Sequence, residues 1–277
     1  MNKLTILGNG YTAQFLSKEA LKKGFEVFIV SRNISNPKKN IHYLNFFDSN
    51  NVAKNLTTNH IVSTIPPDRN DKDPVILKYG KSIASNKSNI IYLSATSVYG
   101  DGEVNEQTKP DPKNKRGEVR LSAEKAWIKQ NIKSSIFRVS GIYGPKRHPM
   151  IKYLNGDNTI IVKENFISNR IHVEDLSSIV IKFLIENHSD RIVNVSDQNI
   201  VKNYDAIQYV TNKLQLKEPI IEKYKPEEVS SMLKTFYEVN RIVKTKVIGH
   251  HFIYKMKHPD YKKSLLKLTK KIIKINK

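Results

Sequence analysis

The stretch Lys3-Leu4-Thr5-Ile6-Leu7-Gly8-Asn9-Gly10-Tyr11-Thr12-Ala13 carries the reading of the chain. Its first five residues form a short apolar run that suits a buried strand. Ala13, Leu16, Ala20 and Leu21 then recur at helical spacing within Tyr11 to Lys23. Between the two stands the spacing G-x-G-x-x-A. Gly8 permits a tight turn, Gly10 lets the backbone approach a diphosphate without a Cβ in the way, and small Ala13 lets the helix lie close to the strand. Tyr11 and Thr12 open the helix, whose free N–H groups and positive dipole end would face the phosphates.

Gly24 closes that helix, and Glu26 to Val30 reads as a second strand, completing a β-α-β unit of about 30 residues. An NAD site would place Asp or Glu at the end of this strand, against the ribose 2′-OH. Ser31-Arg32 stands there instead. A guanidinium pairs with a 2′-phosphate and a serine hydroxyl donates to it, so NADP is favoured, with NAD as the alternative. The plainer reading of Arg32 is a solvent-facing side chain.

Apolar runs at Ile61–Val62, Ile90–Leu93, Ile136–Val139 and Arg191–Val195 alternate with helical patterns at Pro74–Ala84, Leu121–Ile128 and Glu174–Leu184. That alternation predicts an α/β fold, a doubly wound parallel Rossmann sheet with a smaller, mostly helical C-terminal lobe. Residues 1–140 and 172–198 are assigned to the nucleotide-binding domain, and 141–171 with 199–277 to a substrate-binding lobe.

The 277 residues suffice for a real core, and the absence of cysteine excludes disulfides, thiolate metal sites and cysteine nucleophiles. No signal-peptide pattern and no apolar run of membrane-spanning length occurs, so a cytoplasmic location is expected. The formal charge of +21 raises nucleic acid as a partner. Tyr254 to Lys277 holds nine lysines against Asp260, yet they fall between Leu265, Leu268, Ile272 and Ile275 as the solvated face of a helix. No basic stripe with interleaved aromatics appears, so nucleic acid is disfavoured, a membrane-surface helix comes second, and a homodimer is left open.

Several segments resemble the extended short-chain dehydrogenase/reductases, the NAD-dependent epimerase/dehydratase family. Gly8 to Ala13 matches that family's nucleotide turn, and Leu93-Ser-Ala-Thr-Ser-Val-Tyr-Gly100 its V-Y-G strand end. Arg138-Val-Ser-Gly-Ile-Tyr-Gly-Pro145, Arg170-Ile-His-Val-Glu-Asp175 and Val193-Asn-Val-Ser-Asp197 are similar to later segments, in the same order. The resemblance implies a small polar substrate between sheet and lobe. It further implies that Asp48 contacts adenine, for which a helix N-cap is the competing role, and that Ser63, Thr64, Ile65 and Pro66 line the cofactor ribose.

The family's proton relay, a Ser or Thr with Tyr-x-x-x-Lys, does not fall where it should. Alignment by V-Y-G puts Ala95 at the hydroxyl position, and alignment by Ala123-Glu124 puts Arg116 and Arg120 at the Tyr and Lys positions. A guanidinium stays protonated and cannot exchange a proton as tyrosine does. Thr96, Ser97, Tyr99 and Tyr143 are the candidate catalytic substitutes, and Arg116, Arg120 and His172 the candidate substrate contacts. Tyr99 and Tyr143 have a structural reading beside this, and so do His172, as a core or loop histidine, and the two arginines, as an exposed helix face. Two functions follow: an NADP-dependent oxidoreductase or epimerase-like enzyme with an unorthodox proton route, and a catalytically silent NADP-binding sensor or scaffold. No metal is expected, since the eight histidines are scattered and His250-His251 is the only adjacent pair.

Overall fold

The computed structural model describes residues 2–34, 37–68 and 72–275. Seven strands form one parallel sheet: β1 (Lys3–Leu7), β2 (Glu26–Ser31), β3 (His42–Asn45), β4 (His60–Ser63), β5 (Ile90–Ala95), β6 (Ser134–Val139) and β7 (Ile192–Val195). Their order across the sheet is β3-β2-β1-β4-β5-β6-β7. Leu7 pairs with Val30 on one side and Ser63 on the other, so the strand ends stand level. Chain direction across the sheet reverses between β1 and β4, the switch point at which such sheets bind ligands.

Helices α1 (Tyr11–Lys22), α2 (Ser49–Thr58), α3 (Pro74–Ala84), α4 (Lys115–Gln130), α5 (Met150–Leu154), α6 (Val173–Ile185), α7 (Asn203–Leu214), α8 (Ser231–Tyr237) and α9 (Tyr261–Ile275) complete the fold. Strands buried on both faces need apolar cover on each. On one side Ala13, Leu16 and Ala20 of α1 and Leu176, Ile179 and Phe183 of α6 pack against Ile6 and Val27. On the other, Val52, Tyr79 and Trp127 from α2, α3 and α4 pack on Leu7, Ile61 and Tyr92. Asp73 caps α3, accepting from the Val75 and Ile76 amides at 2.9 and 3.0 Å, and takes the Trp127 indole N–H at 2.9 Å. One carboxylate thus satisfies a helix end and a buried aromatic donor.

The alternation of strands and helices is therefore as the sequence predicts, with two differences. β3 gave no signal in the sequence, because as an edge strand it is only half-buried and carries no apolar run. The C-terminal part is less helical than expected. Ile220–Lys223 pairs in parallel with Thr159–Val162, and Arg241–Val243 with Gly102–Val104. A separate core of Tyr143, Met150, Ile207, Tyr261, Leu265 and Leu268 holds α5, α7 and α9 together. The lysines of α9 at 263, 267, 270, 271 and 274 face out, as the periodicity implies. Among the described residues no helix is long and apolar enough to cross a membrane.

Candidate functional site

The turn from β1 to α1 is built around two glycines that differ in their reasons. Gly8 sits at φ +107°, and a Cβ there would stand 2.4 Å from Thr64 Oγ1 and 3.3 Å from Ile65 Cγ1. Thr64 in turn bonds β1, both its amide and its hydroxyl donating to the Leu7 carbonyl at 2.9 Å. Gly10 precedes the helix at φ −82°, with no side-chain cap, and a Cβ on it would meet nothing within 4 Å. The space beside Gly10 is open and an uncapped helix start looks into it, as an anion cradle requires. Ala13 is fully buried and brings α1 onto the sheet.

Tyr11 lies over this turn in a way the sequence did not suggest. Its hydroxyl is buried beside Gly144, where a Cβ would come within 2.7 Å, and burial pushes its pKa up to about 12. Arg147 stacks its guanidinium on the Tyr11 ring at 5.4 Å. The aim of Arg147 comes from a hairpin in which Gly144 and Arg147 exchange both backbone bonds at 3.0 Å, with Pro145 and left-handed Lys146 (φ 61°) at its tip. The Gly-Pro-Lys-Arg run was the available signal.

A cavity of about 400 Å³ opens beside Thr12, in the first turn of α1, and runs along the C-terminal ends of β4, β5 and β6. Thr12, Thr64 and Pro66 border it on the nucleotide side; Ala95, Thr96 and Ser97 form its floor; Phe166 and Phe236 contribute from the C-terminal lobe. Arg116, Arg120, Arg147 and Arg241 also line it, and among the described residues no Asp or Glu does. Gly117 explains the two arginines of α4, since a Cβ on it would stand 2.4 Å from the Ser97 carbonyl oxygen. That contact presses the first turn of α4 onto the strand end and leaves Arg116 and Arg120, four residues apart, on one face. Arg120 donates to the Tyr92 hydroxyl at 3.1 Å and the Leu93 carbonyl at 3.4 Å. The Ser97 hydroxyl is buried without a hydrogen-bond partner.

Several expected site residues are placed elsewhere. Tyr99 is fully buried, its hydroxyl donating to Asn194 Oδ1 at 2.8 Å and accepting from Arg138 at 3.0 Å. Arg138 also grips Glu124 with Nε and a terminal nitrogen, and Ser94 donates to the same carboxylate at 2.5 Å. Tyr99 thus belongs to a sealed network joining β5, α4, β6 and β7, and is corrected from a catalytic to a structural position. Tyr143 is corrected likewise: it packs on His172 at 5.0 Å and Tyr261 at 4.9 Å, away from the cavity, and burial raises its pKa.

His172, expected at the substrate, instead caps α6 by accepting the Glu174 amide on Nδ1 at 3.2 Å. Burial lowers its pKa to about 3. His172, Glu174 and His258 do meet within 4.8 Å, a grouping of metal-ligating types hidden from the spacing analysis. Its two imidazoles stack at 3.6 Å, which turns their lone pairs side by side, and a Glu174 carboxylate oxygen lies 3.0 Å from His258 Nε2. Asp48 takes the competing role, capping α2 through the Asn51 amide at 3.3 Å and the Asn51 side chain at 2.7 Å. The Ser31 hydroxyl donates to the Asn33 carbonyl at 2.8 Å. Arg32 is exposed at the end of β2, next to the turn whose Gly8 amide bonds Val30 at 2.8 Å. Ser63 is fully buried, and Ile65 packs under Gly8.

No protein-family model matches the chain, and no curated protein matches its sequence. Solved structures do. A functionally unknown conserved protein from Silicibacter pomeroyi DSS is 28% identical, with a TM-score of 0.87 over 98% of this chain and 99% of that one. The dTDP-glucose 4,6-dehydratase of Bacillus anthracis, solved with NAD, is 14% identical at a TM-score of 0.78, covering 99% and 97%. The human epimerase family protein SDR39U1, solved with NADPH, is 14% identical at 0.74, covering 97% and 99%. The fold is that of the NAD-dependent epimerase/dehydratase proteins, as the sequence resemblance implied.

Proposed function

We propose that this chain, an atypical extended short-chain dehydrogenase/reductase in fold, is an NADP-preferring oxidoreductase acting on a small polar substrate without a Tyr-x-x-x-Lys relay. The observation that carries this is the cavity itself. Its lining runs from Thr12 in the first turn of α1, through Thr64 and Pro66 after β4, to Ala95, Thr96 and Ser97 at the end of β5, which supports a cofactor's reactive end and a second molecule meeting there. The open position beside Gly10 and the uncapped start of α1 suit a diphosphate. Arg147, held over Tyr11, adds a positive charge on the same side.

When bound, the nicotinamide supplies or takes a hydride. Thr96 offers its hydroxyl at the cavity floor and orients a substrate oxygen by donating to it, with the buried, unpartnered Ser97 hydroxyl beneath it. Arg116 and Arg120 stay charged, so they hold an acceptor rather than exchange a proton. The proton comes from solvent through the open side of the cavity. Tyr99 and Tyr143 take no part, being walled off.

Arg32 is the basis for preferring NADP. Calorimetric titration with NADPH and NADH, on wild type and Arg32→Ala, tests it: NADPH affinity is expected to fall about tenfold or more while NADH is unaffected. An equal loss for both, or none, removes the assignment. A second reading, the silent NADP-binding sensor, draws on Ala95, Arg116 and Arg120 standing where the relay would be. Stopped-flow absorbance of bound NADPH against a panel of carbonyl compounds separates the two, since the sensor oxidises nothing.

A further inference from the structure

Of the arginines that line the cavity, Arg147 and Arg241 have no counterpart in the sequence reading, and Arg241 is the one beside the end of β5. It lies on the strand Arg241–Val243, in register with Gly102, and Asn169 holds its carbonyl at 2.9 Å. Its position is therefore fixed by lobe pairing, and it is not a loose surface side chain. One terminal nitrogen donates to the Thr96 carbonyl. Its Nε is buried and has no hydrogen-bond partner, and burial lowers its pKa from the usual arginine value. A guanidinium carries five N–H donors and a permanent charge. The exposed Asp101 carboxylate favours its charge from a distance, yet the buried Nε–H is left with no acceptor, which is unfavourable. Arg116 and Arg120 line the same cavity, and among the described residues no carboxylate does, the buried Asp73 that interacts with Arg120 lying outside the lining. Three cations facing one half-enclosed space repel one another unless a negative group sits between them.

We propose that Arg241, Arg116 and Arg120 form an oxyanion-binding site at the β5 end of the cavity, so that the substrate carries a carboxylate or phosphate group. This deepens the proposed function and rests on its placement of the second molecule. The dinucleotide's own phosphates do not fill the role. Their cradle is at the start of α1 behind β1, whereas Arg241 bonds Thr96 just beyond β5, with β4 between the two strands. Guanidiniums suit the planar oxygens of a carboxylate and the oxygens of a phosphate through paired N–H donors. Phe166 and Phe236 close the same space from the lobe side and keep part of it apolar, which strengthens each charged contact.

The test uses the full chain, with and without saturating NADPH, titrated with malonate, inorganic phosphate and the neutral malonamide at constant ionic strength. Calorimetry and thermal denaturation are the readouts. Wild type is expected to bind malonate or phosphate and to ignore malonamide. Arg241→Gln is expected to weaken that binding about tenfold or more and to leave NADPH affinity within about twofold. Arg241→Lys, which keeps the charge, should recover part of the loss. Should Arg241→Gln lose its cooperative unfolding transition, Arg116→Gln, at an exposed position, serves in its place. Wild type binding neither anion better than malonamide, or Arg241→Gln binding as wild type does, overturns the proposal. Failure of NADPH to bind wild type would instead strike the cofactor reading, and the titrations without NADPH keep the two failures apart.

Discussion

Replacing each glycine of the turn by alanine should separate folding from binding. In Gly8→Ala the new Cβ falls 2.4 Å from Thr64 Oγ1, so the threonine must rotate and give up its 2.9 Å bond to the Leu7 carbonyl. The lost bond costs about 1 kcal/mol, and holding alanine at φ +107° costs about 1–3 kcal/mol more. The sum, about 2–4 kcal/mol, corresponds to a fall in Tm on the order of 3–7 °C. In Gly10→Ala the backbone is already at φ −82° and the Cβ meets nothing within 4 Å, so stability should change by less than about 1 kcal/mol. The same Cβ intrudes where the diphosphate would lie, and NADPH affinity should fall about tenfold or more. Differential scanning calorimetry on the free protein and NADPH titration on both variants give the comparison. Wild-type NADPH affinity in Gly10→Ala would refute the cradle, and an undiminished Tm in Gly8→Ala would refute the packing argument.

Two further substitutions probe buried charge. Glu124→Gln leaves the Arg138 guanidinium, 5% exposed, without its anion, and urea denaturation should show a loss of about 3–5 kcal/mol; a loss below about 1 kcal/mol would contradict the network. Burial raises Asp197 from 3.8 to about 7, so from about pH 4 to 7 the folded chain keeps a proton that the unfolded chain has released. Stability from this group is therefore full at low pH and declines as pH rises through that window, by up to about 4 kcal/mol. Denaturation of wild type and Asp197→Asn at the two ends of the window checks it: the asparagine variant should lose that part of the decline, and an unchanged slope would refute the assignment.

The nucleotide half of the fold was legible because its signals are local. Gly8, Gly10 and Ala13 act within one turn, and strands buried on both faces read as apolar runs. What the sequence hid depends on contacts between distant segments. Tyr99 looked chemical until Asn194 and Arg138 enclosed it, and His172 until its ring was seen capping α6. Asp48 and Ser31 are polar side chains whose nearest claim is their own turn. Arg116 and Arg120 could be placed at the cavity from their spacing to Ala123-Glu124. Arg241 could not, because only the pairing of Arg241–Val243 with Gly102–Val104 brings it there.

The docking of α4 rests on Gly117 against the Ser97 carbonyl, at the cavity floor, and on Glu124 beneath Arg138, which lies outside the cavity lining. Positions 116 and 120 are accordingly mounted on a platform whose alignment does not depend on what they hold. Such separation of mounting from tool means that a change of side chain at either position alters what the cavity can grip while the helix that carries it stays seated.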